Sequence, residues 1–270
     1  MMLDVEFYLE DLKSKFSKIN PKEYMLSYSG GKDSHFLYWF IKEYLKDSDI
    51  EIVGVNTRME HPQIAKRIND NCDTVLLPSL KPHEVMDKYG IPLLNKSHDD
   101  FINRYQNGSR AKSTIDYITG TGAKEKSWFK LPKKFVEPVL NNDLHRVSSK
   151  CCTYLKKKPT DDYQKKTGKK WITGVRGSES LLRKTQYKSC FTKDGKFTPL
   201  WDLSDNLLDE IYKHYNIEIP QIYDILPRTG CMGCPYSRNI EEELKSLSDN
   251  QYKYVVNLFK KSYDVKGVKY

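Results

Sequence analysis

Two glycines set between an apolar run and a helical pattern are the first residues in this sequence whose types and spacing imply chemistry. Ser29-Gly30-Gly31-Lys32-Asp33-Ser34 follows Tyr24-Met25-Leu26-Ser27-Tyr28 directly. Adjacent glycines let backbone amides approach an anion, and the mouth of the helix offers unpaired N–H groups and the positive end of its dipole. Lys32 adds a mobile cation, so the expected chemistry is phosphate binding. A Walker A loop is excluded, because it needs glycine where this chain has Leu26 and Ser or Thr where it has Asp33.

Cysteines form the second set. Cys151 and Cys152 are adjacent, and after a long gap comes Cys231-Met232-Gly233-Cys234. Four thiolates converging on one centre imply zinc or an iron–sulfur cluster. Zinc ribbons usually supply two separated C-x-x-C pairs, which adjacent cysteines fit poorly. Cys72 and Cys190 have no comparable partners, and Cys72 reads as a small buried hydrophobe. Nothing in the chain suggests secretion, so disulfides are not expected.

Strands and helices hold these groups in place. Met25 to Tyr28 reads as a strand, and Asp33 to Leu45 as a helix, with Phe36, Leu37, Phe40, Ile41 and Tyr44 at helical spacing. Ile52 to Val55 is the next strand, a polar helix runs from Pro62 to Asn69, and Thr74 to Leu77 is a third strand. These intervals predict right-handed βαβ crossovers and an α/β fold with a parallel sheet. Gly90 to Lys150 reads as loops and short helices, and Ile240 to Lys261 as a helix pair packed on the sheet.

Ligands of open parallel sheets bind beyond the carboxyl ends of strands. There stand Asn56-Thr57, followed by Glu60, His61 and Pro62, and a later buried strand that ends in Gly174-Val175-Arg176, with Glu179 and Arg183 beyond. Arginine forks suit phosphate or sulfate because they form paired charge-assisted hydrogen bonds. Phe197 to Ser204 then precedes an amphipathic helix over Asp205 to Tyr215.

Ser29 to Ser34 resembles the PP-loop of the ATP pyrophosphatases, which cleave ATP between its α and β phosphates. The Asn56-Thr57 turn, the vicinal cysteines, Gly174-Val175-Arg176, Pro199-Leu200-Trp201-Asp202 and the C-x-x-C pair follow in the order of the iron–sulfur sulfonucleotide (adenylyl-sulfate and phosphoadenylyl-sulfate) reductases. The resemblance covers most of the chain and implies an adenine-nucleotide α-hydrolase-like parallel sheet with flanking helices and an iron–sulfur-binding C-terminal part. It divides the chain into a nucleotide domain, 1–200, with a basic insertion at about 100–170, and a helical segment, 201–270, that carries the C-x-x-C ligands.

By the same resemblance Ser29, Gly30, Gly31, Lys32, Asp33, Ser34, Asn56, Thr57, Gly174 and Glu179 bind the nucleotide. Lys32, Asp33, Arg176 and Arg183 act catalytically, with Asp33 on Mg2+. Cys151, Cys152, Cys231 and Cys234 hold a 4Fe-4S cluster, zinc being the alternative.

One departure bears on the reaction. The reductases attack sulfur with a cysteine on a C-terminal tail, whereas no cysteine follows Cys234 here. Attack on sulfur needs a thiolate, so either Cys190 or a separate thiol protein supplies it, or the reaction is different. The expectation is ATP-dependent adenylylation with pyrophosphate release, coupled to sulfur transfer from a donor to a nucleic acid. The alternatives are a sulfonucleotide reductase releasing sulfite, and a non-catalytic nucleic-acid-binding protein on this fold.

Composition bounds the partners. The 270 residues carry a net charge of +9, and Lys124 to Lys170 alone holds fourteen Lys or Arg against five Asp or Glu. Such a stripe can follow a nucleic-acid backbone, or serve as a solvated face. Trp128, Phe129 and Tyr154 within it match no nucleic-acid module and are expected in a core or lid. No stretch approaches the roughly 18 apolar residues of a membrane span. Asp4, Glu6, Glu10 and Asp11 are unlike a signal peptide. A cytoplasmic protein without a membrane partner is expected.

Overall fold

A computed structural model describes residues 2–47, 49–179 and 181–270. In chain order its elements are α1 (Met2–Phe16), β1 (Tyr24–Tyr28), α2 (Lys32–Trp39), β2 (Glu51–Val55), α3 (Pro62–Asn71), β3 (Thr74–Leu76), α4 (Pro82–Tyr89), α5 (Lys96–Gln106), α6 (Lys112–Thr119) and α7 (Val136–Leu140). There follow α8 (Lys150–Cys152), α9 (Lys158–Thr167), β4 (Lys170–Ile172), α10 (Leu181–Gln186), α11 (Asp205–His214), α12 (Ile222–Ile225), α13 (Ile240–Ser246) and α14 (Asp249–Lys266). The chain forms two compact units, each assembled from separate segments: 1–56 with 61–77 and 159–223, and 57–60 with 78–158 and 224–270.

The first unit is an α/β sheet with flanking helices. Its four strands run parallel in the order β3-β2-β1-β4. Two buried neighbours explain why β1 is so apolar: Leu26 lies opposite Ile52 on one side and Ile172 on the other, and all three are fully buried. The helix expected over Asp33 to Leu45 is α2 followed by a turn of π-helix, Phe40–Tyr44. The apolar face survives that change of winding, with Phe36, Leu37, Phe40 and Ile41 fully buried.

Sequence reading overlooked α1. Its Val5, Leu9, Leu12 and Phe16 recur at helical spacing and are buried, but the acidic residues between them dominate the composition. Near its end the buried Lys15 pairs with Asp202 at 2.7 Å and Asp11 at 2.9 Å. That pair ties α1 to the Pro199–Asp202 segment.

No strand occurs among the described residues of the second unit. One apolar cluster, including Leu93, Ile102, Ile118, Leu131 and Phe135, organises the region where loops and short helices were expected. Another gathers Met59, Val85, Cys151, Leu155, Met232, Val255 and Phe259. The expectation that the C-terminal helix pair packs on the sheet is corrected: α13 and α14 bury Ile240, Leu244, Val255, Leu258 and Tyr263 in this cysteine-bearing cluster. No helix among the described residues is long and apolar enough to cross a membrane.

Candidate functional site

The Ser29–Ser34 loop leaves the carboxyl end of β1, and Gly174–Arg176 leaves the carboxyl end of its neighbour β4. Parallel pairing brings the two segments side by side. Gly30 holds φ +72°, and a Cβ there would meet Ile64 of α3 at 2.9 Å. A Cβ on Gly174 would come within 3.0 Å of the Asp33 carbonyl carbon. Both glycines therefore serve a close approach of backbone to its neighbours.

Within the loop the amide of Ser29 donates to Ser34 Oγ at 3.1 Å, and Ser34 Oγ donates to the Gly31 carbonyl at 3.1 Å. These bonds use the Ser34 hydroxyl to hold the turn. The Lys32 side chain reaches Asp209 at 3.2 Å, and its backbone N–H donates to the hydroxyl of Tyr223 at 2.9 Å. Tyr212 donates to the Lys32 carbonyl at 2.7 Å.

Arg176 is buried and connects three groups. Its Nε donates to Asp33 Oδ1 at 2.7 Å, while Nη1 donates to Asp205 at 2.5 Å and to Ser178 Oγ at 3.0 Å. Burial works against its charge, but Asp33 and Asp205 outweigh it and hold its pKa above the ordinary arginine value. Asp33 and Arg176 thus meet at the mouth of α2. Arg183 lies half-buried on α10, and the side chain of Glu179 lies outside the described residues.

Asn56 continues the sheet, its amide donating to the Leu76 carbonyl at 3.0 Å. Thr57 is buried in the second unit, where its amide and hydroxyl both donate to Glu60, at 2.9 and 2.7 Å. The turn that carries the Asn-Thr motif is therefore closed upon its own carboxylate. Its far side supports the thiols: Glu60 bridges Cys231, and the Met232 amide donates to the Met59 carbonyl at 2.7 Å.

Cys151, Cys152, Cys231 and Cys234 line one cavity of about 20 Å³, otherwise walled by Met59, Met86, Pro92, Leu155, Lys156 and Phe259. Between the second pair, Gly233 takes φ +58°, and an added Cβ would overlap Val255. Its amide donates to Glu243 at 2.9 Å, and Tyr263 donates to its carbonyl. Helices α13 and α14 thereby fix the C-x-x-C turn. Among the described residues no three His, Cys, Asp or Glu groups are drawn together tightly enough to hold a metal ion.

Donor chemistry nonetheless fits a soft metal or cluster: four thiols face one apolar space. Cys152 lies below the usual thiol pKa because it accepts a hydrogen bond from Cys151 and feels Lys96, Lys156 and Lys157, against its burial. Burial pushes Cys231 up, and Cys234 up to about 12. The ammonium of Lys156 is held above the ordinary lysine value, chiefly by Cys231 and against its burial, with help from Glu60 and Cys152. Sequence reading counted Lys156 only within the basic stripe, although its place four residues after Cys152 puts both on one helical face.

The remaining cysteines differ in setting. Cys72 is half-buried beside Gly54, and burial pushes its thiol up to about 12, as suits a packing residue. Cys190 is a half-buried free thiol whose carbonyl accepts from the Thr198 amide at 2.7 Å.

No protein family's sequence pattern matches this chain, and no curated protein matches it. Solved structures do. An NH3-dependent NAD synthetase from Campylobacter jejuni, in complex with nitrate, is similar over 98% of this chain and 96% of its own, at 14% identity and a TM-score of 0.37. NAD+ synthetase from Burkholderia pseudomallei is similar over 95% and 87%, at 13% identity and a TM-score of 0.38. The U34-tRNA thiolase NcsA from Methanococcus maripaludis, with its 4Fe-4S cluster, is similar over 97% and 78%, at 14% identity and a TM-score of 0.34.

The basic stripe divides on folding. Lys169 pairs with Glu51 at 2.9 Å, Lys170 approaches Glu23 at 4.0 Å, and Lys156 sits among the thiols. Tyr154 stacks on Tyr89 with centroids 4.3 Å apart. Trp128 and Phe129, expected in a core or lid, are instead 96% and 74% exposed.

Proposed function

We propose that this protein binds ATP at Ser29–Ser34, cleaves it at the α phosphate with release of pyrophosphate, and supports sulfur transfer to a nucleic acid. The observation that carries the reading is the glycine loop at the mouth of α2, with Lys32 on it and Arg176 held against Asp33. Backbone amides of Gly30 and Gly31 present partial positive charge to the phosphates, and that of Lys32 joins them once it leaves the Tyr223 hydroxyl. Lys32 exchanges its half-exposed partner Asp209 for a phosphate oxygen. Asp33 would hold Mg2+, whose charge offsets that of the leaving pyrophosphate. Arg176 orients Asp33 and supplies positive charge next to it, with Arg183 on the acceptor side.

An oxygen of the acceptor attacks the α phosphorus, the α–β bridging P–O bond breaks, and pyrophosphate departs with the bridging oxygen. The acceptor's proton passes to solvent. Hydrosulfide then displaces AMP, forming a C–S or P–S bond with no net oxidation or reduction. Cys151, Cys152, Cys231 and Cys234 would hold a 4Fe-4S cluster with one thiolate on each iron, which would supply a structural staple.

Anaerobic protein with Mg2+ and labelled ATP, given an RNA and DNA pool, tests the reading. AMP and pyrophosphate that depend on the pool and are lost in K32A are expected. Sulfite released from labelled adenylyl sulfates with thioredoxin, and no cleavage of ATP, would overturn it in favour of a reductase.

A further inference from the structure

Trp128 and Phe129 are adjacent, and both face water in a loop that is firmly held at either end. Gly120 ends α6 in the left-handed region, φ +70°, and a short 3-10 turn spans Gly122–Lys124. The amide of Phe129 donates to Ser127 Oγ at 3.0 Å, Lys130 Nζ donates to the Glu125 carbonyl at 2.7 Å, and the Leu131 amide donates to the Tyr117 carbonyl at 3.0 Å. Leu131 and Phe135 are buried in the core at 3% and 4% exposure. The loop therefore has apolar residues to anchor it, yet it directs its two largest rings outward. Isolated exposed apolar side chains are ordinary, but two adjacent aromatic rings on a pinned loop form a contact surface.

Charge around the rings specifies the partner. Residues 124–134 carry Lys124, Lys126, Lys130, Lys133 and Lys134 against Glu125 alone. Lys126, Lys133 and Lys134 are exposed. Aromatic faces accept unpaired bases of any sequence, while flanking lysines neutralise the phosphates that join them. Two rings are too small an apolar surface to resemble the long apolar face of a membrane-lying helix.

We infer that the loop of residues 120–134 is a docking surface for single-stranded nucleic acid, with Trp128 and Phe129 stacking on unpaired bases and Lys126, Lys133 and Lys134 holding the backbone. The inference deepens the proposed function, since it names where the acceptor strand is gripped and that the strand is unpaired there.

Fluorescence anisotropy of the full chain with a labelled single-stranded oligoadenylate tests it. W128A/F129A is expected to weaken binding at least about tenfold, as loss of base stacking does, with an unchanged unfolding midpoint because both rings are exposed. K126E/K133E/K134E is expected to weaken binding and flatten its salt dependence, and the matching duplex to bind more weakly than the strand. The inference is overturned if W128A/F129A binds like the wild type, if duplex and strand bind alike, or if the rings are needed for anionic lipid vesicles or self-association and not for the strand. Failure of the proposed activity is separate: ring-dependent strand binding with no cleavage of ATP in any pool rejects the chemistry alone. Pool-dependent cleavage with ring-independent binding rejects the docking surface alone.

Discussion

The backbone N–H of Lys32 donates to the hydroxyl of Tyr223 at 2.9 Å, across 191 residues of sequence. An amide at a helix mouth that would otherwise face a phosphate is already occupied by a neutral oxygen. The Lys32 ammonium sits 5.5 Å above the same tyrosine ring, and Asp209 takes its charge. Tyr223 thus closes upon the glycine loop through both its hydroxyl and its ring.

Removing that hydroxyl frees the amide. Y223F is expected to tighten MgATP binding by roughly fivefold, since one hydrogen bond exchanged against water is worth about 1 kcal/mol. Titration calorimetry with wild type and variant checks it. Weaker binding by Y223F would show that the hydroxyl assists the nucleotide instead of standing in its place.

Lys32 and Arg176 make opposite contributions. The Lys32–Asp209 pair is half-exposed, so K32A is expected to change stability by less than about 1 kcal/mol while abolishing ATP cleavage. Arg176 is buried and pairs with Asp33 and Asp205, and R176A removes both ion pairs and the packing of the guanidinium, at a cost of about 2–4 kcal/mol. Urea unfolding of both variants separates them. Equal losses would contradict the division.

Gly233 sets the C-x-x-C turn. G233A must hold φ +58° with a side chain, overlap Val255, and place its Cβ 2.6 Å from the Tyr263 hydroxyl. Strain and overpacking together are expected to cost roughly 2–4 kcal/mol. Thermal unfolding and iron content after anaerobic reconstitution give the two readouts, and both are expected to fall.

His35, on the first turn of α2, is held down to about 4, mainly by burial and further by Arg67. Its ring lies 2.8 Å from the Tyr28 hydroxyl. In the unfolded chain the imidazole takes up a proton near its ordinary pKa of about 6.5, whereas the folded protein refuses it until about pH 4. The stability this neutral ring contributes is therefore complete above about pH 6.5 and falls as the pH drops through 4. The loss is about 2–3 kcal/mol. H35Q lacks this proton uptake, so its unfolding free energy should fall less than the wild type's between pH 7.5 and 4. Parallel pH profiles would exclude the assignment.

Local signals reached far into this protein. Period and punctuation were sufficient for β1, β2 and β3 and for the glycine loop, because an apolar run between turn residues encodes a buried strand without knowledge of its neighbours. Residue chemistry pointed to Lys32 and the four cysteines, the family resemblance added Asp33 and Arg176, and folding places Arg176 on Asp33 and all four thiols around one cavity. Long-range pairing had no comparable signal. Tyr223 and Asp209 reach Lys32 only once the sheet and α11 have formed, and the Thr57–Glu60 turn joins the thiols through backbone bonds to Cys231 and Met232. Burial also separated side chains that composition treated alike: Lys156 lies among the thiols, while Trp128 and Phe129 stand in water. Spacing along a chain reports which groups share a face, but which face is covered depends on elements far away in sequence, and only the tertiary structure supplies them.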